Sequence, residues 1–536
     1  MNSIVGFLDR WNFIIYPLLF AIFPLLSFYG ANATDVSSSD FNLAPFFLLS
    51  ILAAVGAWSL ALLLTKNTRR SSVLTTAFLA VFFTFGRVDD LFSDKLSELV
   101  IPLGPGIGPS KLLLILSAVF LTGVWFGVSK LTPQGLDKLS STLMLVAVVS
   151  VTATLITAVP VYLTAGKTTD GQTKLSEASS DRADKQTSPD VYYILLDGYA
   201  RSDILSEDFD FDNSDFLTSL DERGFYVADA ANTNYAHTQL SVPSTFNMKY
   251  VNYLADELGE GSSNKAELKN LTQYNEVGNI FKSFGYKYIN IGTQWGWTKT
   301  SPIQDLEVKA DNTKETKILN IELDEFALVF LQTTILKPWI ETDIKGTMVT
   351  QILNAVEKVE NVPLIDEPTF TFAHFLLPHP PYLFDKDGII PGQTQLELDN
   401  HGFSDKGMYV EQTIYTNKIA LSLVDTILAN SDTPPIIVIA SDHGPASTLS
   451  PREFQETDPT KFDIEGIKER MAILNAYYFP DKNYEKLYPN ISPVNSFRLV
   501  LSQYFNQDLD LLPDESYLTD NKENLYRFSD VTRLMR

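Results

Sequence analysis

The sequence predicts two unlike parts: an N-terminal α-helical transmembrane bundle of about five spans, and a C-terminal α/β domain with a mostly parallel central sheet. Three observations predict it. Apolar stretches crowd the first 166 residues, most of the charge falls after them, and beyond residue 188 continuous apolar runs alternate with amphipathic ones.

The apolar stretches are Trp11–Tyr29, Ala44–Leu64, Ser72–Phe85, Leu112–Val128 and Leu143–Leu163. A helix needs about 20 apolar residues to cross a bilayer. Four stretches meet that need; Ser72–Phe85 is short, so the count turns on it. The first stretch lacks a small-residue cleavage site and is followed at once by others, so it reads as a retained helix rather than a signal peptide.

Loop charge sets the orientation. Lys66, Arg69 and Arg70 fill the short link between the second and third stretches, and Lys130 and Lys138 lie between the fourth and fifth. The first link holds Asp35 and Asp40 without Lys or Arg, and the stretch Arg87–Lys111 is mixed and mostly acidic. Basic loops stay in the cytoplasm. The N-terminus is therefore expected inside, and with five crossings everything after Gly166 is expected outside; an even count would reverse the second part.

Residues 1–166 hold 9 of the 41 Lys+Arg and 8 of the 65 Asp+Glu, so the remainder carries 32 basic and 57 acidic side chains. A domain that acidic repels nucleic acid. The absence of cysteine excludes structural disulfides, thiolate catalysis and zinc–thiolate sites.

Lys167–Ser188 is polar, rich in Ser, Thr and Asp, and has linker composition; the second domain is expected to run from 189 to 536. It opens on Val191–Leu196, a continuous apolar run expected of a strand buried on both faces. Asp215–Arg223 reads as an amphipathic helix stopped by Gly224. Glu276–Ser283 reads as a helix leading through Gly285 into a strand at Tyr286–Ile291. Thr369–Leu377 reads as a strand and Tyr409–Ala429 as a long helix. Pro434 and Pro435 break that helix before a strand at Ile436–Ala440, and Ala472–Phe479 is the last strand. In such sheets ligands bind beyond the carboxyl ends of the strands.

Two strands end on metal-ligand side chains. Asp197 follows YYILL, and Asp442-His443 follows IIVIA. Two carboxylates and an imidazole are good ligands for a divalent cation; taken singly, each also suits an ordinary turn. A third element is NYAHTQLSVPSTFNM, where Thr238 stands at the entry to a helix. Backbone amides there can receive a phosphate, and a hydroxyl beside a metal becomes a nucleophile; a capping Thr is the plain alternative. Ser241, Ser244 and Thr245 are chemically able rivals. Pro243 fits a first helical turn, which puts the helix start near Gln239–Ser241 and Thr238 at its mouth. In AHFLLPHPPYLFD, His379 sits between prolines at a strand end, able to meet phosphate oxygens or protonate a leaving group. His374, in mid-strand, reads as a packed core residue.

Taken in order, LLDG, YAHTQLSVPSTFNM, PHPPY and SDHG resemble the alkaline phosphatase/sulfatase superfamily. With five apolar stretches in front, the chain is most similar to its phospholipid-using branch, that of lipoteichoic acid synthase and the lipid A phosphoethanolamine transferases. The resemblance implies an alkaline-phosphatase-like domain at the plasma membrane, facing outward. It implies one divalent metal ion, Zn²⁺ or Mn²⁺, held by Asp197, Thr238, Asp442 and His443, with Asp197 standing where both transferases have Glu. Thr238 takes the place of the nucleophile, which would carry a phospho-threonine intermediate, and His379 that of a substrate-phosphate histidine. Trp297 and Lys299, in QWGWTKT, correspond to a Trp and an Arg that bind the head group, and Lys there loses the bidentate grip of Arg. The donor implied is a membrane phospholipid and the acceptor a surface glycan or lipid.

The chain also departs from the pattern. PASTLSPREF, after SDHG, offers no histidine for a second metal, the cysteines of the periplasmic enzymes are missing, and Ser241-Val-Pro-Ser-Thr245 lacks the Cys and Arg of a C-x-P-S-R sulfatase signature. If water replaces the acceptor, the enzyme is a phosphodiesterase. A catalytically inactive membrane sensor or glycan-binding protein is the rival of another class, and the joint presence of Asp197, Thr238, Asp442 and His443 weighs against it. A transporter is disfavoured by the scarcity of charge inside the apolar stretches.

Overall fold

A computed structural model of the chain describes residues 2–32, 44–100, 108–165, 188–293, 296–309, 317–318, 321–322, 330–389, 402–448, 463–520 and 524–535. The expected linker lies outside the described residues apart from Ser188, as do Asp35, Asp40 and most of PASTLSPREF. Two compact units result: residues 1–171 with 317–344, and residues 172–316 with 345–536.

The first unit holds five helices long and apolar enough to cross a membrane: α1 (Asn2–Asn32), α2 (Ala44–Thr65), α3 (Thr68–Val100), α4 (Pro109–Lys130) and α5 (Pro133–Ala165). The short third stretch is thus part of a full-length helix. Its apolar window, Thr68–Phe92, is half buried, whereas that of α2 is 11% buried. An inner helix can afford Thr75, Thr76 and Asp89, which lowers its mean hydropathy and made it the weakest stretch by sequence. The outer helices turn large side chains such as Leu63, Val119, Phe126 and Leu145 outward, as lipid-facing helices do.

The domain expected over 189–536 is interrupted. Residues 317–344 belong with the membrane helices, where Phe330 packs among Ala21, Leu25, Phe28 and Phe83. The apolar content of this stretch is too short for a span, so no membrane signal marked it.

The second unit is built on a sheet of β1 (Val191–Leu196), β2 (Tyr226–Val227), β3 (Lys287–Gly292), β4 (Thr369–Phe375), β5 (Ile436–Ala440) and β6 (Asn475–Tyr478), in the order β2-β6-β5-β1-β4-β3. β5, β1, β4 and β3 run parallel, with Val191 opposite both Phe370 and Ile436; β6 and β2 add antiparallel pairs at one edge. The last strand is shorter than expected because Ala472 and Ile473 bridge instead to Asn232 and Ala200. Around the sheet lie α6 (Ser202–Phe209), α7 (Ser214–Glu222), α8 (Thr238–Phe246), α9 (Glu276–Ser283), α10 (Lys337–Asn361), α11 (Lys406–Asn430), α12 (Ile464–Met471) and α13 (Pro493–Tyr504); α10 begins in the first unit and ends in the second.

The packing that matters for the site is under α8. Phe246, at its last turn, is 1% exposed and meets Phe372 edge-on at 4.6 Å and Tyr193 at 5.7 Å. Burying one such ring stabilises by roughly 1.5–3 kcal/mol, and removing it costs about 3–5 kcal/mol. Strands β1 and β4 thereby hold the helix by its far end, and its N-terminus reaches Asp442 beyond their carboxyl ends.

Candidate metal centre and active site

Asp197 continues β1 by one hydrogen bond, its N–H donating to Phe375 at 3.0 Å. Asp442 and His443 follow β5. Their ligand atoms and those of Asp197 all lie within 4.8 Å of one another, and all three side chains are buried. Gly444 makes the second turn possible: its N–H donates to the Arg470 carbonyl at 2.7 Å, and a Cβ there would stand 2.1 Å from the Glu469 carbonyl oxygen.

The cluster consists of acceptors facing acceptors. His443 Nδ1 lies 3.0 Å from the Gly444 carbonyl, which can only accept, so Nδ1 carries the proton. Nε2 then turns its lone pair toward Asp197 Oδ1 at 3.5 Å and Asp442 Oδ2 at 3.3 Å. Burial, with the Arg470 charge added, pushes His443 well below its usual range, so it does not protonate to relieve this. Asp197 Oδ1 is buried without a hydrogen-bond partner. Such an arrangement suits a cation, and the donor set fits a divalent ion.

The two carboxylates respond unequally. Burial, then the neighbouring Asp197, pushes Asp442 up to about 7. For Asp197 burial acts the same way, but the facing imidazoles, His379 first and the hydrogen bond from His374 next, outweigh it and hold the carboxyl below its usual range.

Thr238 is the first residue of α8 and joins the cluster. Its Oγ1 donates to Asp442 Oδ2 at 2.5 Å and lies 3.2 Å from His443 Nε2. Ser241 points elsewhere: it is 1% exposed, its Oγ lying 3.3 Å from Thr233 Oγ1. Ser244 donates to the Lys249 carbonyl and Thr245 to that of Ser241. Of the four hydroxyls in the segment, only Thr238 has a described contact with the candidate ligands. His379 is also brought in. Its N–H donates to the Asp197 carbonyl at 3.0 Å, and its ring centre is 6.1 Å from that of His443. Nδ1 donates to the Pro380 carbonyl at 2.6 Å, which leaves Nε2 for other work. Gln412 on α11 steadies this loop, donating to the carbonyls of Pro378 and His379 and accepting from the N–H of Leu383.

His374 is not merely a packed core residue. It is buried in mid-strand, but its Nε2 reaches Asp197 Oδ2 at 3.3 Å, and its Nδ1 meets Thr298 Oγ1 at 2.7 Å. It orients the Asp197 carboxylate. The register contains the signal, since Leu195 opposite His374 shares its face with Asp197. Among the described residues of QWGWTKT, Thr298 touches this shell; Trp297 packs with Tyr235, Leu240 and Leu268, and Lys299 is exposed.

Arg470 was not visible by sequence. It is buried near the C-terminus of α12, with Nε donating to the Ala236 carbonyl at 2.8 Å and Nη1 to that of Gly444 at 2.7 Å. One guanidinium thus ties the loop before Thr238 to the loop after His443. Burial lowers it to about 10 against the opposing pull of Asp442, Asp197 and Glu469, so it stays charged at neutral pH.

No family model matches the chain, and no curated protein matches it. Its neighbours among solved structures are phosphoethanolamine transferases and sulfatases. The integral membrane lipooligosaccharide phosphoethanolamine transferase A from Neisseria meningitidis is 13% identical over 91% of this chain and 95% of its own, with a TM-score of 0.35. The zinc complex of the C-terminal periplasmic domain of EptC from Escherichia coli is 13% identical over 66% of this chain and 95% of its own, at 0.39. A third, from Bacteroides fragilis and named as a sulfatase, is 14% identical over 65% of this chain and 80% of its own, at 0.36. At such identities and scores the site's own geometry, not the neighbours, carries the chemistry.

Proposed function

We propose that the protein is a membrane-bound, metal-dependent transferase. It moves a phospho-head group, phosphoethanolamine- or phosphoglycerol-like, from a phospholipid donor to a cell-surface glycan or lipid through a phospho-Thr238 intermediate. The observation that carries this reading is the Thr238 hydroxyl, at the N-terminus of a nine-residue helix and 2.5 Å from Asp442. The class of group transferred comes from the motif resemblance.

Asp197, Asp442, His443 and Thr238 would hold one Zn²⁺ or Mn²⁺. When bound, it would offset negative charge on the non-bridging phosphate oxygens. Thr238 gives up its proton along the short hydrogen bond to Asp442 Oδ2. Its Oγ1 forms a bond to phosphorus as the bond to the lipid alcohol breaks. His379, entering the step as the imidazolium, gives its Nε2 proton to the departing oxygen. The acceptor hydroxyl then attacks the same phosphorus, its proton passing to His379; the bond to Thr238 breaks, and Oγ1 takes its proton back from Asp442. The amides at the start of α8 receive the phosphoryl oxygens. Trp297 and Lys299 keep the role of head-group contacts, since Thr298 between them ties their turn to His374.

Incubating the full chain with a native lipid extract, followed by peptide mass spectrometry, tests the reading. The Thr238 peptide should gain the mass of the transferred group; a peptide that stays unmodified while lipid is consumed would refute the intermediate.

We further propose that the N-terminus is cytoplasmic and the catalytic unit extracytoplasmic. The Lys66–Arg70 loop and the odd number of candidate spans support this. Protease added to intact spheroplasts should release fragments of the catalytic unit, and digestion that needs membrane rupture would reverse the topology.

A further inference from the structure

Residues 330–340 sit in the membrane unit although none of the five spans contains them. They dock along one face of α3. Ile335 N–H donates to the Phe82 carbonyl at 2.7 Å, and Gly86 N–H donates to that of Thr333 at 3.0 Å. The approach is so close that a Cβ on Gly86 would fall 1.8 Å from the Gln332 carbonyl oxygen. Phe330 adds ring contacts to Phe28 at 5.5 Å and Phe83 at 6.1 Å. Lys337 Nζ stands 3.3 Å from Asp89 Oδ2 and also pairs with Asp90, and Ser110 donates to the same Asp89 oxygen at 2.9 Å.

These anchors fix the depth of the segment. Phe82, Gly86, Asp89 and Asp90 climb the last turns of an apolar window that ends at Phe92. Charged groups are costly at the bilayer centre and tolerable where a span leaves the hydrocarbon, all the more when paired. The segment therefore lies level with one membrane boundary. Its two sides differ. Thr334, Lys337 and Ile340 are buried against the unit, whereas Leu336 is 38% and Trp339 61% exposed. Leu91 and Phe92, on α3 just past the two aspartates, are exposed as well.

A lone exposed Leu or Trp on a water-facing surface means little. Here both belong to the unit whose helices already expose apolar side chains such as Val119 and Phe120 for lipid, and they are anchored at the end of α3 where Leu91 and Phe92 are exposed too. An indole at that level is the side chain that membrane boundaries favour, with an apolar body and one N–H for a polar partner. We infer that Leu336–Ile340 is an interfacial lipid-contact site, with Leu336 and Trp339 seated at the head-group and acyl-chain boundary where α3 leaves the bilayer. This rests on the five helices spanning a membrane and is independent of the catalytic reading.

The chain has no cysteine, so single labels can be placed without removing any. The full chain, as Leu336→Cys and separately as Trp339→Cys, is spin-labelled in nanodiscs of phosphatidylethanolamine and phosphatidylglycerol. Collision with oxygen and with a water-soluble nickel chelate is then measured. Lys486→Cys, exposed in the catalytic unit, is the aqueous reference, and Leu116→Cys on α4 the acyl-chain reference. Both test labels should show an oxygen-to-nickel ratio several-fold above that of Lys486 and below that of Leu116. Because the two sites are read separately, a fold lost in one variant leaves the other to decide. A ratio equal to that at Lys486 would overturn the inference. Dipolar broadening at both sites would also overturn it, by showing that a second copy of the chain covers the surface.

Discussion

Thr238→Ala should abolish turnover, by at least about 10³-fold, while leaving the protein folded and able to take up metal. The substitution removes one hydroxyl and one methyl and leaves the other candidate ligands in place. Asp197, Asp442 and His443 remain within 4.8 Å of one another, and three protein ligands suffice to hold a catalytic ion. The adduct seen by mass spectrometry should vanish with the activity. Ser241→Ala is the informative contrast, because this side chain lies only one turn further along the same helix. Its Oγ faces Thr233 in the interior, so the cost should be about 1 kcal/mol of stability from a lost buried hydrogen bond, with most activity retained. A Ser241→Ala enzyme that is dead beside an active Thr238→Ala would move the nucleophile to the Ser-Val-Pro-Ser segment. Steady-state rates and metal content of the two purified variants decide it.

The parts of this site that were legible in the sequence are those placed by strand ends. Val191–Leu196 and Ile436–Ala440 are continuous apolar runs, so Asp197 and Asp442-His443 had to emerge at the rim of a parallel sheet. Pro243 located the start of α8 to within a residue or two, and with it Thr238. What stayed hidden depends on register and on long-range contact. His374 looks like core because strand periodicity says that a residue is buried, not which neighbour it meets across the sheet. Arg470 carries no local mark, since a basic residue in the last turn of a short helix ordinarily meets its own carbonyls or solvent. Its function comes from reaching back 234 residues to Ala236. The segment around Phe330 escaped for a related reason. Membrane signals are read from runs of about 20 apolar residues, and a docked stretch of eleven has no such run.

Arg470 buries one guanidinium against the carbonyls of Ala236 and Gly444, among Asp197, Asp442 and Glu469. A fixed cation there favours ionised carboxylates and disfavours protonation of His237 and His443.

Asp442→Asn should separate the metal's contribution from that of the fold. In the metal-free protein, ionised Asp442 faces Asp197 and the His443 lone pair, and its carboxyl is pushed up to about 7. An acid whose folded value lies above its unfolded one stabilises the fold while protonated, and that stability drains away as pH rises from about 4 to about 7. His237 and His443, pushed down instead, act in the opposite sense up to about 6.5, so the wild-type curve alone mixes the two. The difference between wild type and Asp442→Asn removes the histidines from the comparison. In chelator near pH 4, where the carboxyl is protonated in the fold and largely protonated in the unfolded chain, the two should melt nearly alike, because a protonated carboxyl and an amide differ little in shape and charge. In chelator at pH 8 the variant should melt higher. Added Zn²⁺ or Mn²⁺ should reverse that order. At a thousand-fold excess over its dissociation constant the ion stabilises wild type by about 4 kcal/mol, whereas the variant should bind it more than about 100-fold more weakly and gain little. Metal affinity of the wild type should itself climb with pH until about 7, because the ion displaces the Asp442 proton. Thermal melts of the solubilised full chain at the two pH values, with elemental analysis alongside, read all of this. Equal protection of both proteins by metal would remove Asp442 from the centre, and a less stable variant at pH 8 in chelator would show that ionised Asp442 does not burden the metal-free fold.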